Sequence, residues 1–349
     1  PWYERGVRRG DPWSMIGLAN VLASGEIPGD HGERVVALLE EAIDQGVPYA
    51  EAAAGNVFAE GRVVPRDPDR AVDHFRRAAA AGLDWANAEA GRVLLEQPGR
   101  EREALPYMQA AADAGSPWAM AELASLLADG ATGRPDPRRA ADYFERAIAA
   151  GYEPAVLDYA SRLQTGDGVP RNDVRAMQLF EQAAANGNLW AQFALASAHL
   201  EGRVVRRDPE RAVALFADAA DRGHAPSAYQ LALAYREGTL VPRSGERAVA
   251  WLETAAEQGH AGATALLAEH HVWGDGVPQD LPRALELYEV AARGGSVEAM
   301  EDLSRLLANG AGGRRPDAQA AAYWARQAER ARAQETVAPN TAQLADSRP

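Results

Sequence analysis

Asp67-Pro68-Asp69-Arg70-Ala71-Val72-Asp73-His74-Phe75-Arg76-Arg77-Ala78-Ala79-Ala80-Ala81-Gly82 decides the fold, because it returns with small edits along nearly the whole chain. Asp208 to Gly223 is its nearest copy. The glycine closing each copy serves as a ruler: Gly10, Gly46, Gly82, Gly115, Gly151, Gly187, Gly223, Gly259 and Gly295. Successive ruler glycines lie 36 residues apart, except for the 33 between Gly82 and Gly115. A second series, Gly25, Gly61, Gly130, Gly166, Gly202, Gly238, Gly274 and Gly310, follows the first at 15 residues. Two glycines per period, with alanine-rich apolar segments between them, predict a helix-turn-helix solenoid.

Each period reads as two helices. Helix A starts one to three residues after the ruler glycine. The fourth residue after that glycine is always small, from Ser14, Ala50 and Ala86 through to Ala299, and the eighth is usually large, as in Leu18, Leu123, Tyr159 and Leu195. Residues four apart share a helix face, so this face is expected in the core. Helix B starts at Asp67-Pro68, Asp136-Pro137 and Asp208-Pro209, where the carboxylate caps free backbone N–H groups and proline suits the first helical position. The ruler glycine ends it in a left-handed conformation. Helix A then runs antiparallel to helix B.

The turn between them reads Gly166-Asp167-Gly168-Val169-Pro170 and again Gly274-Asp275-Gly276-Val277-Pro278. The short period loses its three residues around Glu96-Gln97-Pro98-Gly99-Arg100, so its helices are expected to survive while the edge of the stack changes. After Gly310 a last helix carries Tyr323-Trp324; Ala331 stands where a ruler glycine is due, and the polar run 326–335 marks a capping helix. The boundaries are then a half repeat at 1–10, repeats at 11–46, 47–82, 83–115, 116–151, 152–187, 188–223, 224–259 and 260–295, and a final repeat with its cap at 296–335. Residues 336–349 lack apolar periodicity and are expected to be a disordered tail. On the ruler, Trp2-Tyr3 falls at the bulky pair of a second helix, and no Met precedes it, so the parent protein is expected to continue upstream.

With 349 residues the chain has the length of two or three domains, yet a repeat array is expected to be one continuous structure. The formal net charge of -14, without a basic cluster, argues against nucleic acid and anionic lipid as partners. All 36 positive charges are arginine. Zero cysteines exclude disulfides, thiolate metal sites and a cysteine nucleophile. No run approaches the roughly 18 apolar residues of a membrane span.

The 36-residue period, the Gly-x-Gly-Val-Pro turn, the Asp cap, the alanine before an aromatic pair and the closing Ala-Ala-x-x-Gly resemble the Sel1-like repeat family, relatives of the tetratricopeptide repeats. The resemblance covers the chain to about Gln334 and implies an all-α, right-handed superhelical solenoid of antiparallel helix pairs, serving as a non-enzymatic protein–protein scaffold. Within that family, Leu127 to Pro137 and Glu60 to Pro68 are similar in wording to the periplasmic lipoprotein scaffolds of bacterial alginate assembly. That likeness implies a place in the periplasm or at the outer membrane, in exopolysaccharide assembly or secretion. Two alternatives stay open: a periplasmic or cytoplasmic signalling or polarity regulator that binds a receptor domain, and a hydrolase with an unrecognised site.

Third after the ruler glycine stand Trp13, Tyr49, Trp85, Trp118 and Trp190, with Pro154 interrupting the series. Helical spacing groups this position with the seventh, tenth and fourteenth, and so with Glu89, Glu96, Glu122, Asp129 and Asp158; Glu201 lies on another turn. In the related tetratricopeptide solenoids helix A lines the concave surface, so the resemblance implies a groove of aromatic rims and carboxylates. Its natural guest is a protein or peptide with a basic segment, and a polysaccharide ranks below it. The competing reading is that each ring fills a gap between repeats and the acids are a solvated face. His270 and His271 point about 100° apart without a third ligand, so they read as packing, as does His199. Gly-Asp-Gly lacks the alternating acids of a calcium loop and reads as a turn. Neither a metal nor a cofactor is expected, and no catalytic constellation stands out.

Overall fold

The computed structural model describes residues 2–131, 133–312 and 315–337, the last three as backbone only. Among the described residues every regular element is a helix. The chain divides into two compact units, 1–176 and 177–349. The sequence leads one to expect an unbroken array; the division falls inside a helix rather than in a linker, so no change of composition announces it.

Unit 1 holds α1 (Trp2–Val7), α2 (Pro12–Ala23), α3 (Gly32–Asp44), α4 (Pro48–Glu60), α5 (Pro68–Ala80), α6 (Trp85–Leu95), α7 (Glu101–Asp113), α8 (Pro117–Ala128), α9 (Pro137–Ala149) and α10 (Glu153–Thr165). The division falls in α11 (Asp173–Ala185). Unit 2 continues with α12 (Leu189–Glu201), α13 (Pro209–Asp221), α14 (Ala225–Glu237), α15 (Gly245–Glu257), α16 (Ala261–Trp273), α17 (Leu281–Arg293), α18 (Val297–Asn309) and α19 (Ala318–Val337). Even-numbered helices are helix A of their repeats and odd-numbered ones helix B. In unit 1, α4 packs on its own partner α5, and α5 packs in turn on α6 of the next repeat. In unit 2, α14, α15 and α16 repeat that arrangement.

The expected core face is buried. Ala50, Ala86, Ala119, Ala191 and Ala263 are fully enclosed, and Leu123, Tyr159, Leu231 and Leu303 are buried with them. Helix B contributes one large side chain per repeat, seven residues before the ruler glycine: Leu39, Phe75, Met108, Phe144, Phe216, Leu252 and Tyr288 are all buried. Enclosing each such side chain stabilises the stack by about 1.5 to 3 kcal/mol. Phe144 also stacks on Tyr159 of the next repeat, with ring centroids 5.0 Å apart.

The helix ends follow the expected chemistry. Asp67, Asp136, Asp208 and Asp280 accept backbone N–H bonds from Arg70, Arg139, Arg211 and Arg283 at 2.9 to 3.2 Å. Every ruler glycine has positive φ, between 74° and 98°. One device escapes the sequence reading. Arg66 Nε donates to the Ala59 carbonyl at 3.0 Å, seven residues back, and closes the C-terminus of α4. Arg207 does the same at Leu200, Arg243 at Arg236, and Gln279 at Val272. The outer nitrogens of Arg66 and Arg243 then reach Glu96 and Asp275 in the following repeat.

The short repeat keeps both of its helices. α6 ends 13 residues after its ruler glycine, as α2 and α8 do, with Glu96 as its C-cap where they have Ser24 and Asp129, so the missing residues fall in the turn before α7. At the far end α19 runs 20 residues, continuing through Ala331, with Ala321 and Ala328 buried and Arg332 paired to Glu301 at 2.8 Å. Thr336 and Val337 belong to this helix. Of the expected tail, residues 338–349 lie outside the described residues.

Candidate functional site

The aromatic position does two different things. In unit 1, Trp13, Tyr49 and Trp85 stand on the first turns of α2, α4 and α6, with centroids 5.6 and 6.4 Å apart and ring planes tilted by 49° and 43°. They remain 58%, 46% and 44% exposed. Small buried residues just after them, Ala50 and Ala86, let successive helices approach closely enough for rings on different repeats to touch. Trp118 is half-buried. In unit 2, Trp190 is packing: it lies edge-on to His224, 4.6 Å away, and beside Phe193, so it fills the gap to the next repeat.

The carboxylates are brought onto the stripe, and arginines that the sequence reading did not name are paired with several of them. Glu89 pairs with Arg92 at 2.8 Å, Arg92 also holds Glu96, and Arg66 reaches Glu96 from the preceding turn. Burial alone lowers the pKa of Arg92; its contacts with Glu89 and Glu96 outweigh that and leave it above the ordinary arginine value. Two repeats on, Arg162 sits 2.8 Å from Asp129 and 3.1 Å from Asp158, which also accepts from the Ser125 hydroxyl at 3.0 Å. Here too burial opposes ionisation, and the acids overcome it. Glu122 is half-buried one turn beyond Trp118; burial first, and the charge of Glu122 second, push the Tyr152 hydroxyl above its usual value. In unit 2, Glu201 pairs with Arg203 at 3.4 Å.

Sequence reasoning named the acids and passed over these arginines. A signal was present, since Arg92 stands three residues after Glu89 and four before Glu96, and Arg162 four after Asp158, the spacings at which helical side chains meet. The reach of Arg162 back to Asp129, and of Arg66 forward to Glu96, crosses repeats and has no local signature.

His270 is buried, with Nδ1 2.6 Å from the Asp275 carbonyl, and its neighbour His271 is half-buried with Nδ1 enclosed away from any hydrogen-bond partner among the described residues. His199 lies 3.4 Å from the Arg206 carbonyl. In both Gly-Asp-Gly turns the two glycines have positive φ, which is turn geometry. The described residues contain no group of three or more His, Asp or Glu placed to hold a metal, and no described helix is long and apolar enough to cross a membrane.

The Sel1 repeat model matches seven segments, at residues 48–83, 119–152, 154–188, 191–224, 225–260, 261–296 and 297–331. The shortened repeat that carries Trp85 falls outside the matches. Among solved structures, a Sel1 repeat protein from Oxalobacter formigenes is 28% identical, with a TM-score of 0.71 over 87% of this chain and 89% of its own. A protective antigen present in uropathogenic Escherichia coli strains, displaying an SLR fold, is also 28% identical, with a TM-score of 0.61 over 94% of this chain and 70% of its own. No curated protein matches the chain.

Proposed function

Because the chain belongs to the Sel1 repeat family, whose members are generally protein-interaction scaffolds, we propose that it binds a peptide segment of a partner protein along Trp13, Tyr49 and Trp85, without turning it over. The observation that carries this reading is three adjoining rings left in water on helices whose other large apolar residues are mostly enclosed. Contiguous exposed aromatics mark interaction surfaces, since rigid rings offer contact area at little cost in rotamer entropy. The charge speaks for protein rather than polymer: unit 1 carries 19 arginines against 28 aspartates and glutamates, and an anionic polysaccharide would meet repulsion there.

The loop wording at 60–68 and 127–137 supports a finer reading, in which the partner is an envelope protein of exopolysaccharide assembly or secretion and the scaffold joins protein components. Selection from a random peptide library displayed on phage tests the first part. The parent should enrich a common sequence pattern, and Trp13→Ala with Trp85→Ala should lose it while the thermal midpoint stays within about 2 °C. Calorimetry with polyuronate oligosaccharides should give no binding heat; heat from these sugars without peptide enrichment would overturn the reading. Fractionation of cells expressing the complete gene tests the setting, with recovery from the periplasmic or outer-membrane fraction expected and recovery from cytosol alone counting against the envelope.

A further inference from the structure

We infer that this surface reads a bipartite segment: apolar or proline residues on Trp13, Tyr49 and Trp85, and an arginine or lysine about six residues away in a cleft beside Asp129 and Asp167. The inference rests on the interaction reading above and specifies the chemistry of its partner.

The charge along the stripe is uneven. At the Trp85 end two carboxylates, Glu89 and Glu96, meet two guanidiniums, Arg66 and Arg92, and the four groups balance. At the other end one guanidinium serves three acids: Arg162 lies 2.8 Å from Asp129, 3.1 Å from Asp158 and 3.9 Å from Asp167. Those four groups keep a net charge of two negatives. The arginine is largely enclosed, while the side chains of Asp129 and Asp167 are 58% and 77% exposed, so the negative charge left over among these four groups faces solvent.

At that point the turns after α8 and α10 form a cleft. Gly168 rests on the end of α8 so closely that a Cβ there would stand 2.5 Å from the Ala128 Cβ and 2.6 Å from its carbonyl oxygen, and only a glycine permits the approach. Pro135, Pro137 and Pro170 line the cleft beside it, and Asp129 and Asp167 complete it. Proline rings against an aliphatic stem, with carboxylates at the far end, suit a long basic side chain, which buries its methylenes and keeps its charge at a polar rim.

The two parts lie at a fixed separation. From Trp85 on α6 to Asp129 at the end of α8 is about eleven helical positions along the axis, at ~1.5 Å each, and one helix row sideways, at ~10 Å. The span is about 20 Å, or about six residues of extended chain at ~3.3 Å each. Net charge alone attracts any cation, whereas this arrangement asks for one at a set distance from an apolar anchor.

Fluorescence anisotropy with the full chain and three labelled peptides tests the inference. The first joins a Leu-Pro-Leu-Pro segment to two arginines through six Gly/Ser residues; the second carries citrulline in place of arginine; the third shortens the spacer to one residue. The first should bind at least tenfold more tightly than either of the others at 50 mM salt, and the preference over citrulline should shrink at 500 mM. Asp129→Asn with Asp167→Asn should erase that preference and leave the citrulline peptide's affinity unchanged, while Asp129→Glu should preserve it. Trp13→Ala with Trp85→Ala should weaken all three peptides alike. Equal binding of arginine and citrulline peptides, both lost in the tryptophan variant, overturns the bipartite reading and leaves the interaction surface standing. Binding of none of the peptides overturns both.

Discussion

Gly55 meets Phe75 so closely that an added Cβ would stand 2.8 to 3.0 Å from the ring. Alanine is the better helix former by about 1 kcal/mol, but overpacking of this kind costs about 1 to 3 kcal/mol. Gly55→Ala is therefore expected to lower the stability of unit 1 by up to about 2 kcal/mol in urea unfolding, and adding Phe75→Leu should recover part of it. His224 gives a second test, in unit 2. Its ring is enclosed against Trp190 and Phe193, shares a 2.8 Å hydrogen bond with Ser227, and has Nε2 buried without a partner among the described residues. Burial pushes its pKa down from 6.5 to about 4. Above pH 6.5 the imidazole is neutral in both the folded and the unfolded chain, and stability is unaffected. Between pH 6.5 and 4 the unfolded chain takes up a proton that the folded one refuses, so stability falls as pH is lowered through that window, by up to about 3 kcal/mol. His224→Gln should flatten this part of the curve, measured as the difference from the parent; parallel curves would show that the ring is not the titrating group.

The helices are delimited by side chains that the period repeats, which is why their ends were readable: Asp67, Asp136 and Asp208 cap helix B as their position before proline requires. The caps of helix A are more varied, with Asp11, Ser116, Asn188, His260 and Ser296 accepting from the backbone N–H three residues on. The closing bond from Arg243 to the Arg236 carbonyl has a natural control in the chain, since Gln279 makes the same bond to Val272. Arg243→Gln should therefore leave the end of α14 protected, at the loss of an exposed ion pair with Asp275 that is worth little. Arg243→Ala should cost about 0.5 to 1 kcal/mol and raise amide exchange in the last turn of α14. Equal exchange in the two variants would assign the protection to the turn rather than to the bond.

At the scale of the molecule, a repeat buries its apolar face only against its neighbours, so damage should stay local. Leu195→Ala, at a buried position of α12, is expected to cost about 2 to 5 kcal/mol and to raise hydrogen exchange first in α12 and α13, before α17 and α18. A uniform rise across 177–349 would mean that unit 2 unfolds as one body.

The sequence by itself determined the period, the helix pairs, the buried faces and the caps, because each follows from spacing within a single helix or turn and is repeated often enough to be unmistakable. Trp13 and Trp190 show where that legibility stops. They occupy the same repeat position, yet one joins an exposed row and the other packs on His224, because the outcome depends on which residue the next repeat presents: Tyr49 in one case, an enclosed imidazole in the other. The acids illustrate the same boundary. Glu89 and Asp129 were visible as charges, but their neutralisation by Arg92 and Arg162, and the surplus left beside Asp167, arise from contacts within and between repeats that only the packed stack sets. Local periodicity specifies each helix and the face it buries; which side chains meet across repeats, and what charge remains for a partner, is decided by the three-dimensional arrangement.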